Sequence, residues 1–391
     1  MSHRTARSRR KRAGGGYHLD IVKLVLFSDL HLDAPFAWLG GSQLAARRRR
    51  QALRQTLRNI TQLAADVRAD ALLCAGDLFE QARYAPDTVS FLEQTFEQIE
   101  PLPVFLAPGN HDWYSAESPY WQAQWSPNVH VFTEDRLSPV PLQDGLTLWG
   151  AAHRAPARTP GFLDTFQVDR GGIHLGLAHA SERGGFVTHA HEPGAQPHAP
   201  FDAAQIARSG LHHFLVGHYH RPQDAERFTY PGNPDFLAFG EDGERGAVVV
   251  TVLPDGKVQR ERHRVGVTDA HDLALSVTGC ASQQEVRDRL TDVLAALSGV
   301  ARVTVGGDLD PRVDLHARDL QDVPHALDGL LVRLGRLRSA YDLDTIAEEP
   351  TVRGQFVRDV LDAELDDADQ ERVLVVGLRA LEGRTDLDPL G

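Results

Sequence analysis

The sequence is poor in sulfur and has no long apolar segment. Two cysteines and one methionine occur in 391 residues, and Cys74 and Cys280 lie far apart in the chain. This spacing excludes a disulfide framework and a thiolate metal cluster. The apolar run nearest the N-terminus, residues 21–27, contains Lys23 and is too short for a signal sequence or a membrane span. We therefore expect a protein of the reducing cytoplasm that does not enter a membrane.

Positive charge is also scarce beyond the first residues. The chain contains 41 Lys and Arg against 54 Asp and Glu, which gives a net charge of −13. Residues 1–12 are basic and glycines follow them, so we predict a flexible basic arm over residues 1–18. The remaining chain is acidic and repels phosphate overall. A binding site for DNA therefore requires a local basic cluster.

Length and apolar content indicate two folded domains. The composition, 42% hydrophobic and 24% charged, is typical of globular proteins, and domains of about 150 residues are common. Apolar runs alternate with amphipathic stretches over residues 19–267, which predicts a layered α/β domain. Charge and helical patterns increase from residue 268, so we predict a smaller α/β domain over residues 268–391.

The apolar patterns also predict individual elements. In the first domain we predict strands at residues 21–27, 71–75, 104–107, 146–150, 173–178, 214–216 and 247–253, and helices at residues 42–67 and 87–99. In the second domain we predict strands at residues 273–277 and 302–305, a helix opened by the capping box of Ser282 and Glu285, a helix after Pro324, and helices over residues 353–365 and 369–381. The chain thus begins with the order β-α-β-α-β.

Polar side chains follow five of the predicted strands. In chain order they are Asp29, His31, Asp77, Asn110, His111, Asp112, His179, His218 and His220. Because ligands of open α/β sheets bind at the carboxyl ends of the strands, we expect these side chains to converge. Imidazole combined with carboxylate and amide oxygen favours Mn, Fe or Zn, and the set exceeds the needs of one ion. A bridging Asp could hold two ions about 3.5–4 Å apart for in-line attack on phosphorus.

The motifs that contain these residues resemble a known family. The segments DLH, GD, GNHD, a lone His after a strand and GHYH, in this order, resemble the calcineurin-like metallophosphoesterase superfamily. More narrowly, DLHLDAPF, AGDLFE, PGNHD, GHYHRP and YPGNP are similar to the SbcD/YhaO group of DNA double-strand-break repair nucleases. The resemblance implies an α/β fold, a layered metallophosphoesterase β-sandwich flanked by helices, with a smaller C-terminal α/β capping domain.

The resemblance also implies a role for each residue. It places one metal ion on Asp29, His31, Asp77 and His220. It places a second ion on Asp77, Asn110, His179 and His218, so that Asp77 bridges the two. His111 would stand beside the scissile phosphate as proton donor or transition-state stabiliser, and Asp112 would orient a neighbouring group. Glu80 occupies a position where many nuclease relatives have His, and it could hold His111 in orientation.

The function implied is that of a metal-dependent DNA phosphodiesterase, an exonuclease or endonuclease of DNA repair. The expected cofactors are two divalent ions, with Mn²⁺ preferred, and the expected partners are DNA, a second copy of the chain and an SMC-like, SbcC-type ATPase. The alternative is a stand-alone phosphoesterase acting on nucleotides or other small phosphodiesters. A binding scaffold with a decayed site is the third hypothesis, and the complete ligand set opposes it.

Other residues near the motifs allow simpler interpretations. His189, His191 and His198 lie in a loop rich in Gly and Pro and are predicted to be exposed to solvent. The four arginines at residues 47–50 form either a solvated helix face or a phosphate-binding track. The aromatic residues that flank the motifs either line the substrate cleft or pack in the core, and they are Phe36, Trp38, Trp113 and Tyr114.

Overall fold

The computed structural model describes residues 20–39, 42–184, 197–241 and 243–384. By its internal contacts the chain divides into one unit of residues 1–35 and 50–267 and a second unit of residues 36–49 and 268–391. Residues 36–49 group with the second unit although their position in the sequence places them in the first domain. The predicted arm over residues 1–18, His189 and His191 lie outside the described residues.

The described strands of the first unit are two to seven residues long. The strands are β1 (Val22–Phe27), β2 (Ala71–Cys74), β3 (Val104–Leu106), β4 (Val129–Val131), β5 (Ser138–Gln143), β6 (Leu146–Gly150), β7 (Ile173–His179), β8 (His213–Gly217), β9 (Gln223–Asp224), β10 (Phe228–Tyr230), β11 (Ala247–Val252) and β12 (Val258–His263). The helices that begin before residue 268 are α1 (Gln43–Asp66), α2 (Thr88–Glu97), α3 (Pro119–Gln122) and α4 (Ala203–Ser209).

The strands form two six-stranded sheets packed face to face. One sheet has the order β12-β11-β1-β2-β3-β4 and the other β5-β6-β7-β8-β10-β9. Leu24, Leu26 and Leu73 of the first sheet pack in one core with Leu148 and Leu177 of the second. Strands β1 to β4 pair in parallel, as do β6 to β8, so their carboxyl ends meet at one edge of each sheet. The predicted layered β-sandwich is confirmed.

The strands that sequence patterns missed are short or lie at sheet edges. Strands β5 and β12 alternate between half-buried and exposed residues, because each is the outermost strand of its sheet and has one face toward solvent. Central strands such as β1 and β7 are almost wholly apolar and buried. A continuous apolar run therefore predicts the middle of a sheet much better than its edges.

The second unit is a smaller α/β arrangement. A three-stranded parallel sheet with the order β13 (Ala270–Ser276), β14 (Val300–Leu309) and β15 (Gly329–Ser339) carries helix α5 (Gln283–Leu294). Further helices are α6 (Leu343–Glu348), α7 (Val352–Leu361) and α8 (Asp367–Leu381). Ser282 caps α5, since its hydroxyl accepts a hydrogen bond from the amide of Glu285 at 3.2 Å. The capping function of this domain stays a prediction.

The predicted helix after Pro324 is wrong. Residues 329–339 form β15, which pairs in parallel with β14 along most of its length. In β15 the buried Val332 and Leu337 are separated by exposed residues, among them Arg333 and Arg336. Two glycines in this stretch disfavour a helix, and strand pairing buries the apolar side chains against β14.

The arginines at residues 47–50 do not share one environment. Arg49 is buried, donates a hydrogen bond to Thr268 and lies over the ring of Phe36. Arg48 pairs with Asp328, with 3.6 Å between the charged groups. Neither the solvated face nor the phosphate track describes all four arginines, because Arg49 fills a structural position in the second unit. Phe36 is likewise buried, which favours packing over a cleft position.

Within the described ranges, no helix is both long and apolar enough to cross a membrane.

Candidate metal centre

The loops that follow β1, β2, β3, β7 and β8 carry the predicted site residues and are bonded to one another. The amide of Asp29 donates to the carbonyl of Gly76, and the amide of His31 donates to the carbonyl of Asp77, each at 3.0 Å. The loops after β2 and β3 are joined by a bond of 3.0 Å from the amide of Gln81 to the carbonyl of His111. Adjacent parallel strands thus deliver their terminal residues to one place.

One group of ligand atoms belongs to Asp29, His31 and His220, and these atoms lie within 4.8 Å of one another. The Nε2 atoms of His31 and His220 are 3.2 Å apart. The Nδ1 atom of His31 is 2.8 Å from Glu80, and that of His220 is 2.7 Å from Glu241. A carboxylate only accepts, so in a neutral imidazole Nδ1 carries the proton and Nε2 presents its lone pair. Two lone pairs that face each other fit a shared metal ion.

A second group is formed by Asp29, Asp77 and His179, again within 4.8 Å. The Nδ1 atom of His179 lies 2.9 Å from the carbonyl of Ala75 and donates to it, which leaves Nε2 as the ligand atom. This Nε2 is 3.1 Å from Oδ2 of Asp77 and 3.3 Å from Nδ1 of His218. The second group thus repeats the convergence of lone pairs seen in the first.

Asp77 belongs to the second group and also faces the first. Its Oδ2 atom is 3.6 Å from Nε2 of His31 and 3.1 Å from Nε2 of His179, so one carboxylate oxygen faces both. Asn110 is buried, and its Oδ1 has no hydrogen-bond partner among the described residues. A buried amide oxygen without a donor is costly unless a cation satisfies it. The donor set therefore fits divalent metal ions.

The backbone at the site is held in unusual conformations. Asp29, His31, Asp77 and His218 have positive φ angles of 53°, 48°, 51° and 114°, which residues other than glycine rarely adopt. A Cβ atom on Gly109 would lie 2.3 Å from Oδ1 of Asp77. Glycine is thus required there for the close approach of the two loops.

Asp112 is buried behind the ligands. Its carboxylate accepts hydrogen bonds from the amides of Asp77, Leu78 and Gly109, at 3.1, 2.7 and 2.6 Å, and from the hydroxyl of Tyr120 at 2.7 Å. Burial and the nearby charge of Asp77 raise its pKa to about 6. Asp112 therefore positions the loops after β2 and β3, and its orienting role in the reaction stays a prediction.

Glu80 connects His31 and His111. Its two oxygens lie 2.8 Å from Nδ1 of His31 and 3.1 Å from Nδ1 of His111. Burial opposes the ionised form of Glu80, but the hydrogen bonds to the two imidazoles outweigh it and lower its pKa to about 2. Glu80 is therefore an anion that orients both rings.

His111 is much more exposed to solvent than the predicted ligands His31 and His179. Its side chain is 47% exposed, compared with 5% for His31 and 0% for His179. Burial opposes its charge, but the hydrogen bond to Glu80 and the charge of Asp77 prevail and raise its pKa to about 9. His111 is therefore protonated near neutral pH and faces the space where a substrate would enter.

Two functional positions were not recognised in the sequence. Glu241 orients His220 and is itself held by Asn233 at 2.8 Å and Arg245 at 3.1 Å. It lies in a glycine-rich loop 21 residues after His220, and no motif marks it. His153 is buried, and its Nε2 is 2.6 Å from the carbonyl of His179. It carries no signal beyond its position after β6.

The predicted exposure of His198 is wrong. The residue is half-buried, and its ring centroid lies 5.3 Å from that of His218 and 6.1 Å from that of His153. A composition rich in Gly and Pro predicts exposure, but it does not show that His198 packs beside His218.

Replacing Glu241 with Gln is expected to weaken metal binding by about 10- to 100-fold, the usual effect of losing the group that orients a ligating imidazole. The NH₂ group of the glutamine would face the Nδ1–H of His220 or the guanidinium of Arg245, and both of these are also donors. Isothermal titration with Mn²⁺ measures the change. Exposed Glu226 offers the control, because Glu226→Gln should leave the affinity unaltered. Equal affinity in both variants would contradict the assignment.

Metal binding is expected to release protons near neutral pH. Burial opposes the charge of His179, but the carboxylate of Asp77 dominates and raises the pKa of His179 to about 9 in the metal-free protein. A metal ion must displace this proton, so its affinity should fall as the pH decreases. Calorimetry in buffers of different ionisation enthalpy counts the released protons. Binding without proton release, or affinity that rises toward acid pH, would contradict this.

Comparisons with known proteins agree with this geometry. Residues 22–222, just over half of the chain, match the family model of the calcineurin-like phosphoesterases. The uncharacterized metallophosphoesterase YhaO of Bacillus subtilis strain 168 is 27% identical over 293 residues, which are 69% of this chain and 67% of YhaO.

Solved structures with similarity to the chain were also found. A crystal structure of a Thermus thermophilus protein has a TM-score of 0.36 and 12% identity, and the match covers 62% of this chain and 99% of that one. The structure of a candidate 5′-nucleotidase from Staphylococcus aureus has a TM-score of 0.34 and 14% identity, and the match covers 62% of this chain and 53% of that one.

The matched span contains every one of the sequence-predicted ligands, from Asp29 to His220. The orienting residue Glu241 lies beyond it. The convergent ligand groups and the family match lead to the same result: the chain belongs to the calcineurin-like phosphoesterase family and is a metallophosphoesterase.

Proposed function

We propose that this metallophosphoesterase hydrolyses the phosphodiester bonds of DNA by a two-metal mechanism. The observation that carries the two-ion part of the proposal is the position of Asp77, whose Oδ2 faces Nε2 of His31 and of His179. Two ions, when bound, would polarise the phosphoryl oxygens and balance the charge that develops in the transition state. The first ion would take Asp29, His31, Asp77 and His220, and the second Asp77, Asn110, His179 and His218.

The chain itself contributes binding and proton transfer. His111 is half exposed, so its imidazole can donate a hydrogen bond to a phosphoryl oxygen and give a proton to the leaving oxygen. Glu80 fixes the direction of that imidazole through its contact of 3.1 Å.

Mn²⁺ is the proposed metal in cells. The imidazole-rich ligand set suits it better than Mg²⁺, which prefers oxygen ligands. The test is diester hydrolysis by metal-free protein after each ion is added singly, with high activity expected for Mn²⁺ and low activity for Mg²⁺. Full activity with Mg²⁺ and none with Mn²⁺ would refute this preference.

Two observations support DNA as the substrate. Positively charged residues follow the site residues in the chain, and several motifs are similar to those of the SbcD/YhaO group. Exposed arginines follow the residues of the centre closely in the chain: Arg83 after Glu80, Arg154 after His153 and Arg221 after His220. In an acidic protein such local positive charges are the means by which a polyanion can be held. We propose that they contact DNA phosphates, whereas Arg49 cannot, because it is buried.

A direct assay separates DNA from small substrates. The purified protein with Mn²⁺ is offered bis-p-nitrophenyl phosphate, nucleoside monophosphates, single-stranded DNA and linear duplex DNA. Cleavage of DNA supports the proposal. Turnover of the small diester or of nucleotides with no DNA cleavage would overturn it in favour of the stand-alone phosphoesterase.

Assembly is a further part of the proposal. We propose a cytoplasmic homodimer that works with an SMC-like, SbcC-type ATPase, as the resemblance implies. Free, buried Cys74 and Cys280 are compatible with a reducing compartment. Co-purification of an ATPase from the native cell and elution as a dimer at micromolar concentration would support it. Elution as a monomer with no ATPase bound would contradict it.

A further inference from the structure

An aromatic pair, one ring exposed and one half-buried, follows His111 in the chain. Trp121, in the short helix α3, is 63% exposed. Its ring centroid lies 6.4 Å from that of Tyr114, with an angle of 72° between the planes. The guanidinium carbon of Arg154 lies 5.3 Å from the centroid of the Tyr114 ring. Tyr114 thus contacts both Trp121 and Arg154. We name these three side chains the aromatic platform.

The platform is fixed relative to the metal centre. The amide of Tyr114 donates to the carbonyl of His153 at 2.8 Å, and the amide of His153 donates to the carbonyl of Pro108 at 3.0 Å. The imidazole of His153 contacts the carbonyl of His179 at 2.6 Å. One residue therefore links the platform, the PGNHD loop and a predicted metal ligand.

The short chain from His111 to Tyr114 limits how far the platform can lie from the centre. Tyr114 is three residues from His111, and three residues span at most about 11 Å. The helix that carries Trp121 begins at Pro119, and the hydroxyl of Ser118 closes the preceding turn on the carbonyl of Ser115 at 2.8 Å. Trp121 is thus presented by a short, internally bonded segment.

The chemistry of the platform fits a nucleobase. Flat aromatic faces and guanidinium planes stack on bases without regard to sequence, and arginine adds attraction to phosphate. Arg154 is exposed, and one of its nitrogens is directed by a bond of 2.9 Å to the carbonyl of Thr133. Stacking of a base on a large exposed aromatic ring is favourable, because it removes apolar surface from water.

We propose that Trp121 and Tyr114 bind the base of a nucleotide next to the scissile phosphate, while Arg154 contacts a phosphate of the same strand. This inference rests on the proposed function, since it names the part of a DNA strand that the centre recognises. It assigns to Trp121 the stacking contact and to Arg154 an adjacent phosphate. The platform makes the enzyme prefer phosphodiesters that carry bases.

The test compares Trp121→Ala with the wild-type full-length chain on two substrates, a short single-stranded oligonucleotide and a matched strand of abasic residues, both with Mn²⁺. With the natural strand, KM should rise by about 5- to 150-fold, the size of one base-aromatic stacking interaction. With the abasic strand, KM should stay at the wild-type value. Trp121→Phe should retain most of the affinity, and Val352→Ala, which removes another exposed apolar side chain, should change neither value.

Two results would overturn the inference. One is an unchanged KM of Trp121→Ala on the natural strand, and the other is an equal increase on both strands. If the wild-type chain cuts no DNA, the proposed function fails. The platform can then still be tested by measuring equilibrium binding of the same two strands. In that case weaker binding of the natural strand by Trp121→Ala supports the platform, and equal binding of both strands by wild type and variant refutes it.

Discussion

Asp77→Ala is expected to lose metal binding and phosphodiesterase activity together. The side chain faces both ligand groups, and its Oδ1 also accepts a hydrogen bond of 2.8 Å from the amide of His111. Removing it takes one ligand from each ion and releases the loop that carries the proposed proton donor. We expect turnover to fall by more than the ~10²–10⁴-fold that a lost proton donor alone contributes. Metal content and the rate of diester hydrolysis are measured on the same sample.

Two further variants make this result specific. Asp77→Asn keeps the shape and an acceptor for the amide of His111 but removes the charge that a bridging ligand supplies. It should fold like the wild type and still lose at least one ion. Asp169→Ala removes an exposed carboxylate whose partner is the adjacent Arg170, so it should keep both metal and rate. Asp77→Ala with full metal content would exclude the bridging position.

His111→Ala is expected to keep its metal ions and lose about 10²–10⁴-fold in turnover, the usual contribution of a general acid. The imidazole forms a further group of possible ligand atoms with His31 and Glu80, but its Nδ1 atom is taken by Glu80 and it is absent from the two groups that contain Asp29. Metal content should therefore separate this variant from Asp77→Ala. Exposed His130 in β4 provides the control, because His130→Ala lies outside the centre. Unchanged turnover after loss of His111 would refute its role.

The parts of the centre that short motifs encode could be predicted from the sequence. Asp29, Asp77 and His218 follow apolar runs that are long enough to identify as buried strands, and the geometry of parallel sheets then implies convergence. Glu241 could not be predicted, because it reaches His220 through the fold from a loop with no periodic pattern. The motif that contains Asp112 shows that a carboxylate is near the site, but only the fold shows that it accepts hydrogen bonds from the amides of Asp77, Leu78 and Gly109.

The same limits apply to the fold. Wholly apolar strands such as β1 and β7 were predicted closely, whereas the edge strands β5 and β12 were missed because half of their residues face water. The pattern after Pro324 predicts a helix, although residues 329–339 pair with β14 and form a strand. Local propensity is weak there, so a distant partner strand decides the conformation.

The most direct test of the account is a titration of metal-free protein with Mn²⁺, in which bound ions per chain and hydrolysis of a phosphodiester are followed together. The geometry around Asp77 predicts that two ions bind per chain and that hydrolysis appears as the second site fills. It also predicts that chelation abolishes the activity. Full activity with one ion per chain, or hydrolysis that persists after chelation, would contradict the two-metal centre.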